Sequence, residues 1–356
     1  MIPGAKRSTP PKGRAPAFVP PYAPSWIDRI FDWVDRLPIP WWLFYVLLAL
    51  PINGAVAIVL WQTGIYAAVG FHPMQVFLPS LPVYFLALTH GLDHVAASAM
   101  TRFRPAFRGD DEAFAAAVYR MTTLPARTAL VFPVVAGLVS VPFGRIEMAS
   151  LQMGGLDHVP VLFLSVLGYF YTVAYVFFYH TWHQLREIHR LHRDHAEVRL
   201  GRVGPLHALS RVTSLTALGL VLNNYGWFVA QPGGNPNNTV TLLEGGTNLL
   251  IALIVFVWPL WGAHRLLTEA KEKGLSEVAL RKEGARAQLH DAVDKGQLVK
   301  VDPLHKALEA LSAESAELAK IATWPWAPGT LRNLLGAVLL PMALWLVQFG
   351  LARLLG

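Results

Sequence analysis

The chain has 356 residues, of which 54% are hydrophobic and only 15% are charged. Together with a mean hydropathy of +0.39, this composition excludes a soluble globular domain and predicts an integral membrane protein with several spans. Cysteine is absent, which excludes disulfides and thiolate chemistry, and the net charge of +7 matters less than where the charges lie.

The N-terminal region divides into a tail and a short helix. Residues 1–24 are basic and rich in proline, and they lack the apolar core and cleavage site of a signal peptide, so we expect a disordered basic tail. From Ser25, a potential helix cap, residues 25–38 alternate apolar and charged side chains at helical spacing. The adjoining Trp41-Trp42 pair favours a helix lying in the membrane interface over an ordinary soluble amphipathic helix.

Seven apolar segments follow, and they predict an all-α integral membrane protein with seven transmembrane helices. The first six lie within residues 39–264, and the seventh lies within residues 323–356. The segments lie near residues 41–69, 76–100, 128–143, 159–182, 212–230, 243–264 and 333–352. Because the third is short and the second carries polar groups, six spans are an alternative to seven.

Lysine and arginine are divided unequally between alternate connections. The N-terminal region and the second, fourth and sixth connections carry 6, 5, 6 and 11 of them. The first, third and fifth connections and the C-terminal tail carry 0, 1, 0 and 1. Because positive charge is retained on the cytoplasmic side, this distribution predicts a cytoplasmic N-terminus and an extracytoplasmic C-terminus in the cell (inner) membrane. It also favours an odd number of spans.

The connections predicted to be cytoplasmic are long and rich in helix-forming residues. The fourth helix continues without a breaker to about residue 199, and the sixth continues inward as far as Gly274. Two further helices, near 276–295 and 303–321, follow it. Residues 265–322 therefore predict a cytoplasmic layer of anchor helices beneath the membrane.

The last apolar segment, Leu334–Leu351, contains no charge and one polar amide near its end. An unpaired amide in lipid is costly, so Gln348 should face protein or water, or else reach the headgroups. The segment has no lysine, so it offers no residue for a retinal Schiff base. Five apolar residues, Ala343–Val347, precede Gln348-Phe349.

The topology and this motif resemble the insect gustatory and odorant receptor superfamily of seven-helix, ligand-gated ion channels. That family carries Thr-Tyr, five apolar residues and Gln-Phe in its last helix, and Pro341-Met342 stands here in place of Thr-Tyr. The resemblance covers roughly residues 41–356. It implies a homotetrameric, ligand-gated or ligand-modulated cation channel, with the last helices around a central pore. It also implies that Gln348 faces the pore, that Trp345 forms the constriction, and that the anchor helices hold the subunits together.

The resemblance further places a small-molecule ligand in the outer half of the bundle, among helices two, three, four and six. The candidates for its aromatic walls are Tyr84, Phe85, Phe163, Tyr169 and Phe170. The alternative is that these rings face lipid or pack in the core. A non-conducting membrane protein of the same fold is a further alternative, because Trp345 is bulkier than the family's aliphatic gate.

A cluster in the second span favours a different function. His90 and His94 are four residues apart, so both imidazoles lie on one helix face, with Asp93 one residue off it. Two histidines and a carboxylate suit Zn, Ni or Co, and ionisable residues within a span usually have a function. The string superficially resembles the His-x4-Asp-His motif of nickel/cobalt permeases, with two residues in place of four. The alternative function is therefore a metal- or proton-coupled transporter, or a haem- or metal-binding membrane protein. A further alternative is that these three side chains only form hydrogen bonds within the protein.

Five more histidines lie on the inward extension of the fourth helix. They are His180, His183, His189, His192 and His195. We expect them on a solvated or intersubunit face, where pH or a metal could act on them. The sequence shows no nucleophile with its base, no phosphate loop and no dinucleotide fingerprint. We therefore expect no enzymatic activity, no cofactor and no nucleic-acid partner; the expected partners are the lipid bilayer, other copies of the chain and an unknown small molecule.

Overall fold

The computed structural model describes residues 19–149, 158–230 and 239–326, together with positions 329, 332 and 336. The described residues are almost entirely helical and include no β-strand longer than an isolated bridge. The prediction of an all-α fold is therefore confirmed for this part of the chain. Trp345 and Gln348, on which the predicted pore depends, lie outside the described residues, as does most of the predicted basic tail.

The helices are numbered in chain order. They are α1 (Trp26–Asp35), α2 (Trp41–Gln62), α3 (Ile65–Val69), α4 (Met74–Phe103), α5 (Asp111–Thr122), α6 (Ala126–Ala149), α7 (Pro160–Asp194), α8 (Ser210–Ala230), α9 (Thr239–Val257), α10 (Trp261–Asp294) and α11 (Leu298–Lys320). Short 3₁₀ turns at Arg104–Ala106, Leu200–Arg202, Gly204–His207 and Trp258–Leu260 join some of them.

Five helical segments in the described chain are long and apolar enough to cross a membrane. They are Trp41–Gln62, Met74–Ala106, Pro160–Asp194, Gly204–Ala230 and Gly246–Asp294, and they match predicted spans one, two, four, five and six. The third predicted span lies in the shorter apolar helix Ala126–Pro142, part of α6. These lengths and compositions indicate a multi-span membrane protein.

The end of the fourth span differs from the prediction. The sequence predicts a helix to about residue 199, whereas α7 ends at Asp194. The chain there pairs with the residues after α4: Phe107 and Ala196 form an antiparallel bridge, and Arg108 N–H donates to the carbonyl of His195 over 2.6 Å. This pairing gives the chain backbone partners that replace those of the next helical turn.

The helix that continues the sixth span also differs from the prediction. The sequence predicts separate helices on either side of Gly274, whereas α10 runs through this residue as one helix. A side chain at Gly274 would bring its Cβ within 3.2 Å of Leu200 Cδ1. Glycine is tolerated inside a helix at a cost of about 1 kcal/mol, and here it permits close packing.

Helix α4 lies at the centre of the bundle, in contact with α2, α7 and α8. Glycines of α8 allow the closest approach: an added Cβ would lie 2.5 Å from Leu88 Cδ2 at Gly219, and 2.7 Å from Phe77 Cε2 at Gly226. Small residues at helix crossings are typical of membrane bundles, where van der Waals packing holds helices together. Around this centre, α6 packs along α7, α8 along α9, and α10 along α11.

Helix α1 is fixed to the bundle by a buried carboxylate. Asp28 Oδ2 accepts hydrogen bonds from the Ser25 N–H and hydroxyl, both over 2.7 Å, and Ser25 in turn caps the helix. The same oxygen accepts from Leu124 N–H over 3.1 Å, which joins α1 to the segment between α5 and α6. Burial raises the pKa of the Asp28 carboxyl, although the bonds from Ser25 and Leu124 oppose this shift.

The apolar face of α1 packs on protein. Ile27, Phe31 and Val34 are buried, and α1 contacts α2 and α6. Among its large apolar side chains, Ile30 and Trp33 are exposed.

We expect the Asp28→Ala variant to lower the free energy of unfolding by about 2–4 kcal/mol, because it removes a helix cap and leaves the buried Leu124 N–H without a partner. Thermal or denaturant unfolding of the purified protein in detergent measures this change. Asp32→Ala is the matched control, since Asp32 is an exposed acid on the same helix. Equal destabilisation of both variants would contradict the anchoring role of Asp28.

Candidate metal centre

Three metal-ligating side chains, Asp35, His90 and His94, meet where α1 packs beside α4. Their ligand atoms all lie within 4.8 Å of one another. Nε2 of His90 and Nε2 of His94 each lie 3.2 Å from one oxygen, Asp35 Oδ1. The His94 contact is a hydrogen bond, whereas the buried Nε2 of His90 has no hydrogen-bond partner in the described structure. One carboxylate oxygen therefore faces two imidazole nitrogens, of which only that of His94 forms a hydrogen bond with it.

The ring of His90 is held from several sides. Its Nδ1 lies 3.0 Å from the hydroxyl of Tyr45, and the ring of Phe31 stacks on it with centroids 4.5 Å apart. The indole of Trp41 lies 5.4 Å from the His90 ring and 5.6 Å from the His94 ring. Because Tyr45 engages Nδ1, His90 presents Nε2 to the cluster, and such a bond on the other nitrogen is how proteins orient a ligating imidazole.

The cluster has a buried end and an open end. The side chain of His90 is 2% exposed, whereas those of His94 and Asp35 are 43% and 42% exposed. Gly91 lets Trp41 cover the buried end closely, since a Cβ there would lie 2.9 Å from the indole Cη2. A ligand can therefore reach the cluster from the side of His94 and Asp35 without opening the core.

The cluster lies level with the first turn of α2, because Trp41, the first residue of that helix, touches both imidazoles. Tryptophans are enriched at the membrane boundary. The geometry therefore places the cluster near one end of the spans, away from their centre.

The separations suit a bound transition metal ion. Two ligands about 2.0–2.1 Å from a tetrahedral Zn²⁺ ion lie about 3.3 Å from each other, close to the 3.2 Å that separates Asp35 Oδ1 from each imidazole nitrogen. Two histidines and one carboxylate are ligands for Zn, Co, Ni and Fe(II), and histidines four residues apart on a helix commonly share one ion. The His90 and His94 rings stack with centroids 4.8 Å apart, which suits one shared ion better than axial ligation on the two faces of a haem. Three protein ligands leave at least one coordination position open.

The carboxylate of the cluster comes from Asp35, whereas the sequence predicts Asp93. Asp93 is rotated about 100° from His94 around the helix axis, and its Oδ1 lies 2.7 Å from Nε2 of His180 on α7. Both members of this pair are largely buried.

Sequence reasoning missed Asp35 because the docking of α1 on the bundle, which no local pattern encodes, brings it to α4. The only feature of the sequence that could have pointed to Asp35 was the series of acidic residues spaced along residues 25–38.

The histidines of α7 pack within the protein. Each of the five is buried or partly buried. Their partners are Asp93 for His180, the carbonyl of Arg120 for His183, and the rings of Trp258 for His189, Phe103 for His192 and Phe107 for His195. The expectation of a solvated face is wrong for His180 and His192, which are buried because α7 packs against α4, α5 and the turn after α9 along this surface. The other three histidines are partly exposed, and an intersubunit face stays a prediction.

The predicted ligand-wall aromatics are placed in two packed clusters. Phe85 packs with Tyr84, Tyr169 and Phe170 between α4 and α7, and Phe163 lies in a cluster nearer the start of α7. The Tyr84 hydroxyl donates to the carbonyl of Gly219 over 2.6 Å, and Phe85 stacks on Phe177 with centroids 4.8 Å apart. These contacts are those of core residues, the alternative that the sequence left open.

No protein-family model, curated protein or solved structure matches this chain. The resemblance to insect chemoreceptors therefore stays a prediction from topology and the Gln348-Phe349 motif.

The Asp93–His180 pair gives a test that separates structural from ligating histidines. Asp93→Leu should lower the free energy of unfolding by about 3–5 kcal/mol, because it leaves His180 buried beside no counter-charge. The double variant Asp93→Leu/His180→Leu should recover most of this loss, as measured by unfolding in detergent. A single variant as stable as the wild type, or a double variant no better than the single one, would show that the pair is not a coupled structural unit.

Proposed function

We propose that this protein is a multi-span membrane protein that binds one divalent transition metal ion through Asp35, His90 and His94. The observation that carries the proposal is the shared Asp35 Oδ1, which faces two imidazole nitrogens at 3.2 Å, one of them buried and without a hydrogen bond. A buried polar atom without a partner is costly, and an ion at this position would satisfy it.

The chemistry of the ligands favours Zn²⁺, Co²⁺ or Ni²⁺ over Mg²⁺ or Ca²⁺. Imidazole nitrogen is a good ligand for the first group, whereas hard cations prefer an all-oxygen shell. The half-exposed His94 and Asp35 leave the ion accessible, as exchange with a cytoplasmic pool of metal requires.

The proposed orientation in the membrane is based on the distribution of lysine and arginine between alternate connections. We place seven spans in the membrane with the N-terminus in the cytoplasm, so that α1 and the cluster lie at the cytoplasmic boundary. The predicted seventh span, within residues 323–356, would complete this arrangement. A site at this boundary suits the entrance of a metal-coupled transporter or a metal-dependent contact between α1 and the bundle.

Metal titration of the purified protein tests the site. Asp35→Asn and His94→Ala should each weaken Zn²⁺ binding by at least about 10–100-fold, since even loss of an outer hydrogen-bond partner has an effect of that size. Tyr45→Phe, which removes only the bond to Nδ1 of His90, should weaken binding within that range. Titration calorimetry gives the affinities, and the absorption bands of bound Co²⁺ report on nitrogen ligation.

Asp32→Asn and Asp93→Asn serve as controls for this titration. Asp32 is exposed on the same helix as Asp35, and Asp93 pairs with His180, so neither change should alter the affinity. Unchanged affinity after Asp35→Asn would overturn the proposed ligand set. Uptake of metal by proteoliposomes then separates transport from metal-dependent regulation.

A second candidate function, the ligand-gated cation channel, is favoured by the way α10 and α11 return the chain to the bundle. Lys271 on α10 donates to the carbonyls of Ala319 and Ile321, over 2.6 Å and 2.9 Å, at the end of α11. Trp324 then stacks on His264, and Trp326 stacks on Phe256 of α9. The described chain is thus held beside span six as far as Trp326, just before the last apolar segment of the sequence.

The helices α10 and α11 also present a surface for self-association. Leu280 and Leu298 are 66% and 73% exposed on this pair of helices. Charged helices with exposed apolar side chains suit the proposed anchor, in which cytoplasmic helices of four copies pack together.

Oligomeric state and conductance test the channel. We expect a tetramer by native mass spectrometry, and we expect Trp345→Ala to raise the current through planar bilayers because it widens a hydrophobic constriction. Trp61→Ala is the matched control, since Trp61 is 74% exposed on α2 and should leave the current unchanged. A monomer would contradict the channel, and a tetramer without current in either variant would favour the non-conducting protein of the same fold.

A further inference from the structure

A cavity of about 460 Å³ opens between the end of α4 and the start of α8. It is separate from the metal cluster, which lies where α1 meets α4. Its lining residues are Ser98, Ala99, Arg102, Gly204, Pro205, His207, Ala208, Ser210, Arg211 and Ser214. The lining therefore combines two guanidinium groups, one imidazole and three hydroxyls, and it includes no carboxylate. Two of the hydroxyls, those of Ser210 and Ser214, already donate to the carbonyls of His207 and Arg211.

The two arginines of this cavity are not neutralised by the protein. Neither the guanidinium group of Arg102 nor that of Arg211 has an ion-pair or hydrogen-bond partner among the described residues, and both side chains are exposed. Other arginines nearby are paired: Arg104 contacts Asp111, and Arg120 contacts Glu187 at 3.1 Å. Two unpaired guanidinium groups on facing helices produce a local positive field that attracts an anion.

Other polar groups of the cavity complement an anion with several oxygens. The buried Nε2 of His207 has no hydrogen-bond partner in the described structure. Ser98 likewise has a hydroxyl without a partner there, and it lies one helical turn before Arg102 on α4. Because guanidinium groups bind phosphate oxygens in a bidentate manner, this donor set fits a phosphate group better than a single halide ion.

We propose that the cavity between α4 and α8 binds a phosphate group through Arg102 and Arg211. The phosphate belongs either to an anionic phospholipid headgroup or to a free phosphorylated anion. The charge distribution supports both sources, because it places this end of α4 in the cytoplasmic leaflet region, where anionic lipids and soluble phosphates are both within reach. The proposal is independent of the metal cluster, since it shares no residue with it.

The test compares two variants with the same change of charge. Arg102→Gln/Arg211→Gln removes the proposed ligands, whereas Arg281→Gln/Arg286→Gln removes two exposed arginines of α10. In one arm, delipidated protein in detergent is titrated with inorganic phosphate and followed by calorimetry. In the other arm, the protein is titrated with vesicles of phosphatidylcholine alone or mixed with phosphatidic acid.

We expect Arg102→Gln/Arg211→Gln to weaken binding at least about tenfold in one of the arms, because charge-assisted hydrogen bonds are lost, and the α10 control to bind like the wild type. A loss confined to inorganic phosphate identifies a soluble anion, and a loss confined to phosphatidic acid vesicles identifies a lipid headgroup. Binding by Arg102→Gln/Arg211→Gln at the wild-type affinity in both arms would overturn the proposal. An equal loss in both variants would also overturn it, because it would show nonspecific attraction to positive charge.

Discussion

The burial of His90 is the constraint on which this end of the bundle depends. An imidazole removed from water needs partners at its ring nitrogens, and Tyr45 supplies one for Nδ1. Asp35 is the acid that faces Nε2, and it is the last residue of α1. The environment of a buried ring within a span therefore depends on a short helix that precedes all the spans. The cap at Ser25 and the bonds of Asp28 hold that helix in place, so local helix signals and the chemistry of the cluster are physically linked.

Helix α4 carries both of the proposed sites, and they would prefer ligands of opposite charge. His90 and His94 would offer nitrogen ligands to a cation beside α1, whereas Arg102 would offer a guanidinium group to an anion beside α8. His94 and Arg102 are eight residues apart, which corresponds to about 12 Å along a helix axis. The glycines of α8 that receive Leu88 and Phe77 fix α4 against α8, so α4 is a rigid frame that sets the separation of the two sites.

The sequence was sufficient where a local physical signal decides the structure. Long apolar runs predicted the five long apolar helices, since a membrane requires backbone hydrogen bonds to be satisfied within the helix, and Ser25, a residue that caps helices, predicted the start of α1. The sequence was insufficient where tertiary contacts decide. The bridge between Phe107 and Ala196 ends α7 early, and tight packing on Leu200 carries α10 through Gly274. His90 and His94 could be paired from their spacing, but Asp35 lies 55 residues before His90 and could be placed only after the docking of α1 was known. Asp93 has the right chemistry, yet its position on the helix directs it to His180.

The anchoring of α1 through Asp28 has a kinetic consequence for the cluster. Lifting α1 to free Asp35 would break the hydrogen bonds from Ser25 and Leu124 to a buried carboxylate, and shifts of whole helices take microseconds to milliseconds. The half-exposed imidazole of His94 can instead change rotamer within nanoseconds. An ion would therefore arrive and depart by the turning of one solvent-facing ring, while the carboxylate and the buried ring keep their positions.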